Sequence, residues 1–194
     1  MTFKTSFFPV IELPKDYPVF DLSSEEGQRS AVGSIYGIGR YNEKRPNLYL
    51  GENYEEEGRD IHMGVDIGAP EGTPVYAFYE GKVWGVFHHE GVLDYGPTLI
   101  TEHNIESKVY WVLWGHLNLE VLERWSPGDQ FKSGQVIAHL GSQEENGGWP
   151  PHLHFQVSLI EPSETNMPGV VSEAQLKDSL KKFPDPRCFL GPLY

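Results

Sequence analysis

Short β-rich runs separated by turn-forming residues fill the middle of the chain, from residue 73 to residue 159. Gly, Pro, Asp and Asn lie in the gaps between the runs, a pattern typical of an antiparallel sandwich or an open barrel. The predicted strands cover residues 75–79, 82–87, 98–103, 109–114, 135–140 and 154–159. We therefore expect a mostly β fold.

Two segments of the chain share the same pattern of β-type runs and turn. Residues 72–83 and 128–137 each hold a Gly-bearing turn that joins two brief β-type runs. This repeated pattern predicts a small, pseudo-symmetric β sandwich.

The two ends of the chain differ from this middle part. Residues 1–50 carry four prolines among polar residues and show no sustained period, so we expect an extended N-terminal arm. Its aromatic residues would otherwise be exposed, which predicts that the arm packs on the core. Near the other end, Ser172 and Gln175 form a capping-box pattern that predicts a helix ending before Pro184. The expected division is arm 1–50, core domain 51–165, and helix and tail 166–194.

Composition and charge narrow the possible partners. The chain has 28 acidic and 15 basic residues, a net charge of −13, so a nucleic acid would be repelled. No apolar run approaches the roughly 18 residues of a membrane span, so we expect no membrane partner. The N-terminus lacks the pattern of a signal peptide, which predicts a cytoplasmic location unless the chain is the mature form of an exported protein. Oligomeric state is left open.

Metal chemistry in this chain must rely on histidines and carboxylates. The sole cysteine, Cys188, can form neither an internal disulfide nor a thiolate cluster. His152 and His154 flank Leu153 in a predicted strand, and side chains alternate along a strand, so both imidazoles should share one face. One of them could coordinate a metal while the other reaches a substrate beside it.

A second candidate pair is His62 and Asp66. In an extended chain the two residues would lie about 13 Å apart, too far for one ion, so the backbone must bend. Gly64 permits a bend, and the Gly and Pro residues that follow argue against a helix, so we expect a strand end or bulge. Two histidines and one carboxylate leave zinc an open fourth position, as in catalytic sites.

His116 follows the most apolar predicted strand. Beside a zinc site it would be the partner of His152, one ring accepting the proton of a water and the other stabilising the developing oxyanion. The remaining histidines are expected to be structural or solvent-facing. They are His88, His89, His103 and His139.

Taken together, the motifs His-x-x-x-Asp, Trp-Gly-His-Leu and Pro-His-Leu-His-Phe, in this order, resemble the lysostaphin-type zinc endopeptidases over about residues 60–160. The resemblance implies an antiparallel two-sheet sandwich of the duplicated hybrid type. It also implies one zinc ion on His62, Asp66 and His154, with His116 and His152 as catalytic residues. The implied substrates are short, often glycine-rich peptides such as bacterial cell-wall cross-links.

Residues 145–156 and the tail 183–186 are also similar to a peptidase-like domain of cytoplasmic multidomain proteins with kinase-like and aminotransferase parts. That narrower resemblance implies a small intracellular peptide or amide as substrate. Two alternatives stay open. One is a non-catalytic zinc-binding or protein-interaction module of the same fold. The other is a swinging-arm carrier domain, although Lys82 and Lys132 lack the flanking signature of a modified lysine.

The arm has two expected positions. Arg40, Tyr41 and Tyr54 closely precede the zinc-binding segment, so the arm could lie along the cleft and narrow it. Otherwise it packs on the back face of the sandwich.

Overall fold

The computed structural model describes residues 3–49, 58–163 and 167–194. The first strands along the chain are β1 Gly37–Gly39, β2 Ile61–His62, β3 Val65–Gly68, β4 Pro74–Tyr76, β5 Gly81–His89 and β6 Gly96–Ile105. They are followed by β7 Lys108–Gly115, β8 Gln130–Phe131, β9 Val136–His139, β10 His152–Ser158 and β11 Val170–Val171. The helices are α1 Glu25–Val32, α2 Glu120–Arg124, α3 Glu173–Lys182 and α4 Arg187–Leu190.

One large sheet organises these strands. Its order is β1-β3-β10-β7-β6-β5-β8, and every neighbouring pair is antiparallel. Two further antiparallel ribbons pair β4 with β9 and β2 with β11. The predicted mostly β, antiparallel fold is confirmed.

Both faces of the large sheet are covered by apolar side chains. Leu99 and Trp114 are cross-strand partners on one face, and they share a core with Val75 and Ile137 of the β4–β9 ribbon. The neighbouring register pair, Ile100 with Leu113, points to the opposite face because side chains alternate. There it joins a smaller core with Ile61, Met63 and Phe183. Burying one such large side chain contributes about 1.5–3 kcal/mol, so the two cores stabilise the sheet from both sides.

The six predicted strands correspond to β4, β5, β6, β7, β9 and β10, with shifted ends. Strand β8 lies in the first of the two brief β-type runs predicted within residues 128–137. The strands that the pattern did not predict are β1, β2, β3 and β11, none longer than four residues. A strand this short cannot display an alternating period, so only its pairing in the fold defines it.

The first residues of the N-terminal arm contact the core through aromatic rings. Phe3 stacks on Phe189 with 5.0 Å between ring centroids, and Phe7 lies 5.6 Å from Phe78. The arm is not wholly extended, because it contains α1, whose Gly27 amide donates to the Ser24 hydroxyl at the helix N-cap. The expected domain boundaries, near residues 50 and 165, fall outside the described residues, as does Tyr54.

Helix α3 confirms the predicted C-terminal helix. Its capping box is present, with the Gln175 Oε1 accepting a hydrogen bond from the Ser172 amide at 3.0 Å. Leu176 and Phe183 pack in the smaller core. No helix among the described residues is long and apolar enough to cross a membrane.

Candidate metal centre

Three potential ligand atoms meet at one point of the fold. The Nε2 of His62 lies 3.0 Å from the Nδ1 of His154 and 3.1 Å from the Oδ1 of Asp66. The third side of this triangle, from His154 Nδ1 to Asp66 Oδ1, also measures 3.1 Å. Tetrahedral zinc, with bonds of about 2.0–2.1 Å, keeps its ligand atoms about 3.3 Å apart. The donor types and spacing therefore fit a zinc ion, with a small expansion of the triangle.

The sheet register brings two of these residues together. On strands β10 and β3, His154 is the direct cross-strand partner of Asp66. His62 ends β2, and the chain turns at Met63 and Gly64 before β3 begins. A Cβ at Gly64 would lie 2.5 Å from the Cε1 of His154, so this position accepts only glycine without moving the ring. The predicted bend at Gly64 is confirmed.

Hydrogen bonds behind the rings set which nitrogen faces the triangle. His62 donates from Nδ1 to the carbonyl oxygen of Arg40 at 2.9 Å, which leaves its Nε2 lone pair free to coordinate. His154 donates from Nε2 to the Gln156 side chain at 3.1 Å, which leaves Nδ1. Gln156 in turn donates to the carbonyl oxygen of Pro168 at 3.2 Å. Nε2 of His62 and Nδ1 of His154 are thus the nitrogens that face the triangle.

Asp66 is held from behind by a buried arginine. Its Oδ2 accepts a hydrogen bond of 2.7 Å from Nη1 of Arg45, whose side chain is 2% exposed. Burial alone would raise the pKa of Asp66, but His62 and Arg45 hold it well below its usual range. The carboxylate is therefore ionised, as a metal ligand must be.

His116 and His152 form a second pair beside the triangle, with ring centroids 4.2 Å apart. His116 donates from Nδ1 to the Asn146 carbonyl at 3.0 Å, and His152 donates from Nδ1 to the Pro150 carbonyl at 2.7 Å. The remaining Nε2 of His152 lies 3.9 Å from Asp66 Oδ1. Burial lowers the pKa of both rings, so both are neutral near pH 7.

The backbone at His116 is unusual. Its φ of 63° lies in the left-handed region, which costs a residue with a Cβ roughly 1–2 kcal/mol. Such strain persists where the surroundings over-determine the conformation, and it clusters at functional sites. Here the amide donates to the Tyr95 carbonyl at 2.8 Å while the carbonyl accepts from Gly141 at 3.0 Å.

The other histidines lie outside this cluster. His103 is fully buried and contacts Phe78 and Phe131. His88 lies near Glu90, His139 near Glu120, and His89 beside Tyr95.

A cleft of about 780 Å³ opens over the triangle and the histidine pair. Trp149 and Tyr95 form part of its wall, and the ring of Tyr95 lies 5.2 Å from that of His154. The arm forms another part through the α1 residues Gln28, Ala31 and Val32.

Sequence reasoning missed several of these residues. Gln156 had a usable signal, because it lies two positions after His154 on the same strand face. Arg45 and Tyr95 had none, since only the fold brings them to the centre.

The chain is similar to a known protein family and to several known proteins. The model of Peptidase family M23 matches residues 60–166. Peptidoglycan DD-endopeptidase ShyB of Vibrio cholerae is 38% identical over 96 residues, which cover 50% of this chain and 20% of ShyB. YgeR, an uncharacterized lipoprotein of Escherichia coli, is 34% identical over 96 residues, which cover 50% of this chain and 34% of YgeR. The chain thus spans no more than about a third of the length of these relatives.

A solved structure gives a further likeness. The catalytic domain of lysostaphin from Staphylococcus simulans is 26% identical, with a TM-score of 0.47, over 81% of this chain and 93% of that domain.

The predicted cytoplasmic location is wrong. One relative is named for peptidoglycan, which lies outside the cytoplasmic membrane, and another is named a lipoprotein. These relatives point to an extracytoplasmic location.

Proposed function

Since this chain belongs to peptidase family M23, we propose that it is a zinc-dependent metallo-endopeptidase acting on peptides of the peptidoglycan type. One observation carries the proposal. Three ligand atoms lie within 3.0–3.1 Å of one another, and a pair of neutral histidines lies directly beside them in the same cleft.

His62, Asp66 and His154 would hold one zinc ion. Two imidazole nitrogens and one carboxylate oxygen suit zinc better than calcium or magnesium, which prefer oxygen ligands only. A bound zinc ion supplies Lewis acidity and lowers the pKa of a water molecule towards 7.

His116 and His152 would move protons and stabilise charge. Because each Nδ1 is committed to a backbone carbonyl, Nε2 is the nitrogen that can gain or lose a proton in each ring. In the neutral pair both Nε2 atoms lack a proton, so either can accept one from the attacking water, and the ring that has gained a proton can then donate from Nε2 to the developing oxyanion. Two imidazolium charges at a centroid distance of 4.2 Å repel, which favours one protonated ring at a time.

The substrate proposal rests on the relatives and on the cleft. ShyB is named for its action on peptidoglycan, and the open cleft of about 780 Å³ has room for an extended peptide. We infer short, glycine-containing peptides as the substrates. An extracytoplasmic location agrees with this substrate. The narrower resemblance to a peptidase-like domain of kinase-like and aminotransferase proteins has no support among the relatives and stays a prediction.

The proposal is tested with zinc-loaded protein incubated with purified peptidoglycan and, separately, with a short glycine-rich peptide. Mass spectrometry of the products identifies the cleaved bond, and the His152→Ala variant serves as the inactive control. New amino termini that appear with the wild type but not with the variant support the enzyme. A folded, zinc-loaded protein that cleaves neither substrate would instead favour the non-catalytic module.

A further inference from the structure

A short piece of the arm touches two of the three proposed zinc ligands. The carbonyl of Arg40 accepts from Nδ1 of His62 at 2.9 Å and from Nη2 of Arg45 at 3.2 Å. The guanidinium of Arg45 also donates to Asp66. Both arm residues lie upstream of the region, residues 60–166, that matches the family.

We propose that Arg45 and the Arg40 carbonyl form a positioning clamp that sets the metal affinity of this centre. Resting on the proposed function, the inference deepens it, because it concerns how His62 and Asp66 are aimed at the ion. Arg45 is a positioning residue and does not itself contact the metal or the substrate.

The donor groups of Arg45 are engaged on several sides. Nε donates to Glu43 at 3.0 Å, and Nη1 donates to the Tyr49 hydroxyl at 3.0 Å and to Asp66 at 2.7 Å. A planar guanidinium bound in this way cannot swing, so it holds its partners in one orientation. Burying these charges would be costly without good geometry, and the short contacts supply that geometry.

The contact decides which carboxylate oxygen faces the triangle. With Oδ2 held by Arg45, Oδ1 points towards His62 and His154. Without the clamp the carboxylate could rotate, for example towards Nε2 of His152, which lies 3.9 Å away. Hydrogen bonds behind metal ligands of this kind typically change metal affinity by 10–100-fold.

Charge supports the same conclusion. The Arg45 cation offsets one of the two buried carboxylates, Glu43 and Asp66. Because Arg45 contacts both carboxylates, neither is left as an unpaired charge beside the metal site.

A glycine makes room for the clamp. Gly39 on β1 is the cross-strand partner of Asp66 on β3. A Cβ at this position would lie 2.8 Å from Nη2 of Arg45 and 3.0 Å from Oδ2 of Asp66. Because Arg45 is buried and donates hydrogen bonds to Glu43, Tyr49, Asp66 and the Arg40 carbonyl, it has little space in which to move.

Two variants test the clamp by different routes. Arg45→Lys keeps the positive charge but loses the planar fork, and Gly39→Ala keeps every charge but crowds the contact. The matched control is Arg187→Met, which removes a guanidinium paired with Asp185 at 2.6 Å and lying away from the cleft. For each protein, zinc affinity is measured by competition with a chelator, and the visible absorption spectrum is recorded with Co²⁺ in place of zinc.

We expect both variants to bind zinc about 10–100-fold more weakly than the wild type and to show an altered Co²⁺ spectrum. Arg187→Met should match the wild type in both measurements. If Arg45→Lys and Gly39→Ala are folded and bind zinc within twofold of the wild type with an unchanged spectrum, the clamp is refuted.

A double variant removes the guanidinium without leaving an unpaired buried charge, so that weaker zinc binding cannot be attributed to misfolding. Arg45→Met alone would leave Glu43 buried without its partner, so it is combined with Glu43→Gln. The double variant is expected to show the same weakened affinity, and wild-type affinity in it would likewise refute the clamp.

The readouts separate this inference from the proposed function. Metal affinity needs no peptidase activity, so a wild type that binds zinc but cleaves no peptide refutes the enzyme while the clamp can still be upheld. If the wild type cleaves peptides while Arg45→Lys and Gly39→Ala keep the zinc affinity of the wild type, the enzyme is supported and the clamp is refuted. A wild type that binds no zinc refutes both.

Discussion

At the scale of single residues, the groups behind the ligands matter as much as the ligands. A carbonyl fixes the ring of His62, a side-chain amide fixes that of His154, and a guanidinium fixes the carboxylate of Asp66. Each of these contacts leaves one atom aimed into the triangle. The centre therefore behaves as a preorganised site and not as a chance cluster of polar groups.

Substitutions of the proposed ligands and of the proposed catalytic pair should have different effects on zinc content and on turnover. His62→Ala, Asp66→Ala and His154→Ala should each lose most of the one zinc ion expected per chain. His116→Ala and His152→Ala should keep the metal and lose turnover by about two to three powers of ten. Metal analysis and peptide hydrolysis on the same preparations measure both effects.

Contrary results would be informative. Full zinc content in all three ligand variants would remove the site assignment. Loss of zinc in His116→Ala or His152→Ala would mean that the roles must be exchanged.

His103 offers a prediction about stability that is independent of metal. Burial lowers its pKa to about 4, and its Nδ1 donates to the Glu80 carbonyl at 3.0 Å while Nε2 accepts from Thr101 at 2.8 Å. The unfolded chain takes up a proton near pH 6.5 and the folded chain only near pH 4, so stability falls as the pH falls through this window. Between pH 7.5 and pH 5 the loss from this group is about 2 kcal/mol.

Urea unfolding at the two pH values checks this contribution. His103→Gln should lose less stability than the wild type over the same interval. His139→Gln, at a partly exposed position, is the control and should follow the wild type. An identical pH dependence in all three proteins would contradict the prediction.

At the scale of elements, strand register positions the histidines of the site, and one face of a helix forms part of the cleft wall. The register of β10 against β3 sets His154 opposite Asp66 and His152 opposite Gly68. A slip by one residue would turn both imidazoles into the apolar core, where Leu153 now packs. The helix α1 contributes Gln28, Ala31 and Val32, spaced i, i+3 and i+4, to the wall of the cleft.

The α1 wall should therefore influence which peptides enter. Ala31→Trp places a large ring in the cleft, so kcat/KM for a bulky peptide should fall several-fold while zinc content stays unchanged. Ser30→Trp is the matched control, because Ser30 is exposed on α1 and does not line the cleft. Steady-state kinetics with a glycine-rich and a bulkier peptide make the comparison.

Equal kinetics for the two variants would show that α1 does not contact the substrate. Point variants are the cleaner test here than removal of residues 1–40. Such a truncation would also remove β1, which pairs with β3, and the Arg40 carbonyl behind His62.

At the scale of the whole molecule, the arm joins the two sides of the fold. Its first residues pack on the large core through Phe3 and Phe7, while later ones reach the cleft. The two expected arm positions are therefore both occupied, by different parts of the arm. Glu43 links an earlier part of the arm to the residues behind the metal centre, because its carboxylate accepts a hydrogen bond from the Leu22 amide at 3.1 Å and another from Nε of Arg45.

Metal binding should therefore be linked to global stability. If only the folded chain assembles the triangle, zinc at about a thousand times its dissociation constant adds about 4 kcal/mol. For a chain of this size that corresponds to a rise in Tm of about 10 °C. Thermal unfolding with zinc and with a chelator measures the shift, and His154→Ala should show almost none. A Tm that zinc leaves unchanged in the wild type would contradict the linkage.

The sequence by itself determined the longer strands and the local geometry of the histidine pair. Strands β5, β6 and β7 each carry enough residues to show a β pattern. The face shared by His152 and His154 follows from alternation between neighbours in the chain. Such features depend on residues a few positions apart, so they can be read without the fold.

Only the tertiary structure decided which distant groups meet. Asp66 and His154 are 88 positions apart, and Arg45 precedes Asp66 by 21. The two-residue strand β2 shows no period, yet it delivers His62. The physical reason is that a buried charge network is stabilised by contacts between segments that have no local pattern in common, and those contacts exist only after the sheet has set its register.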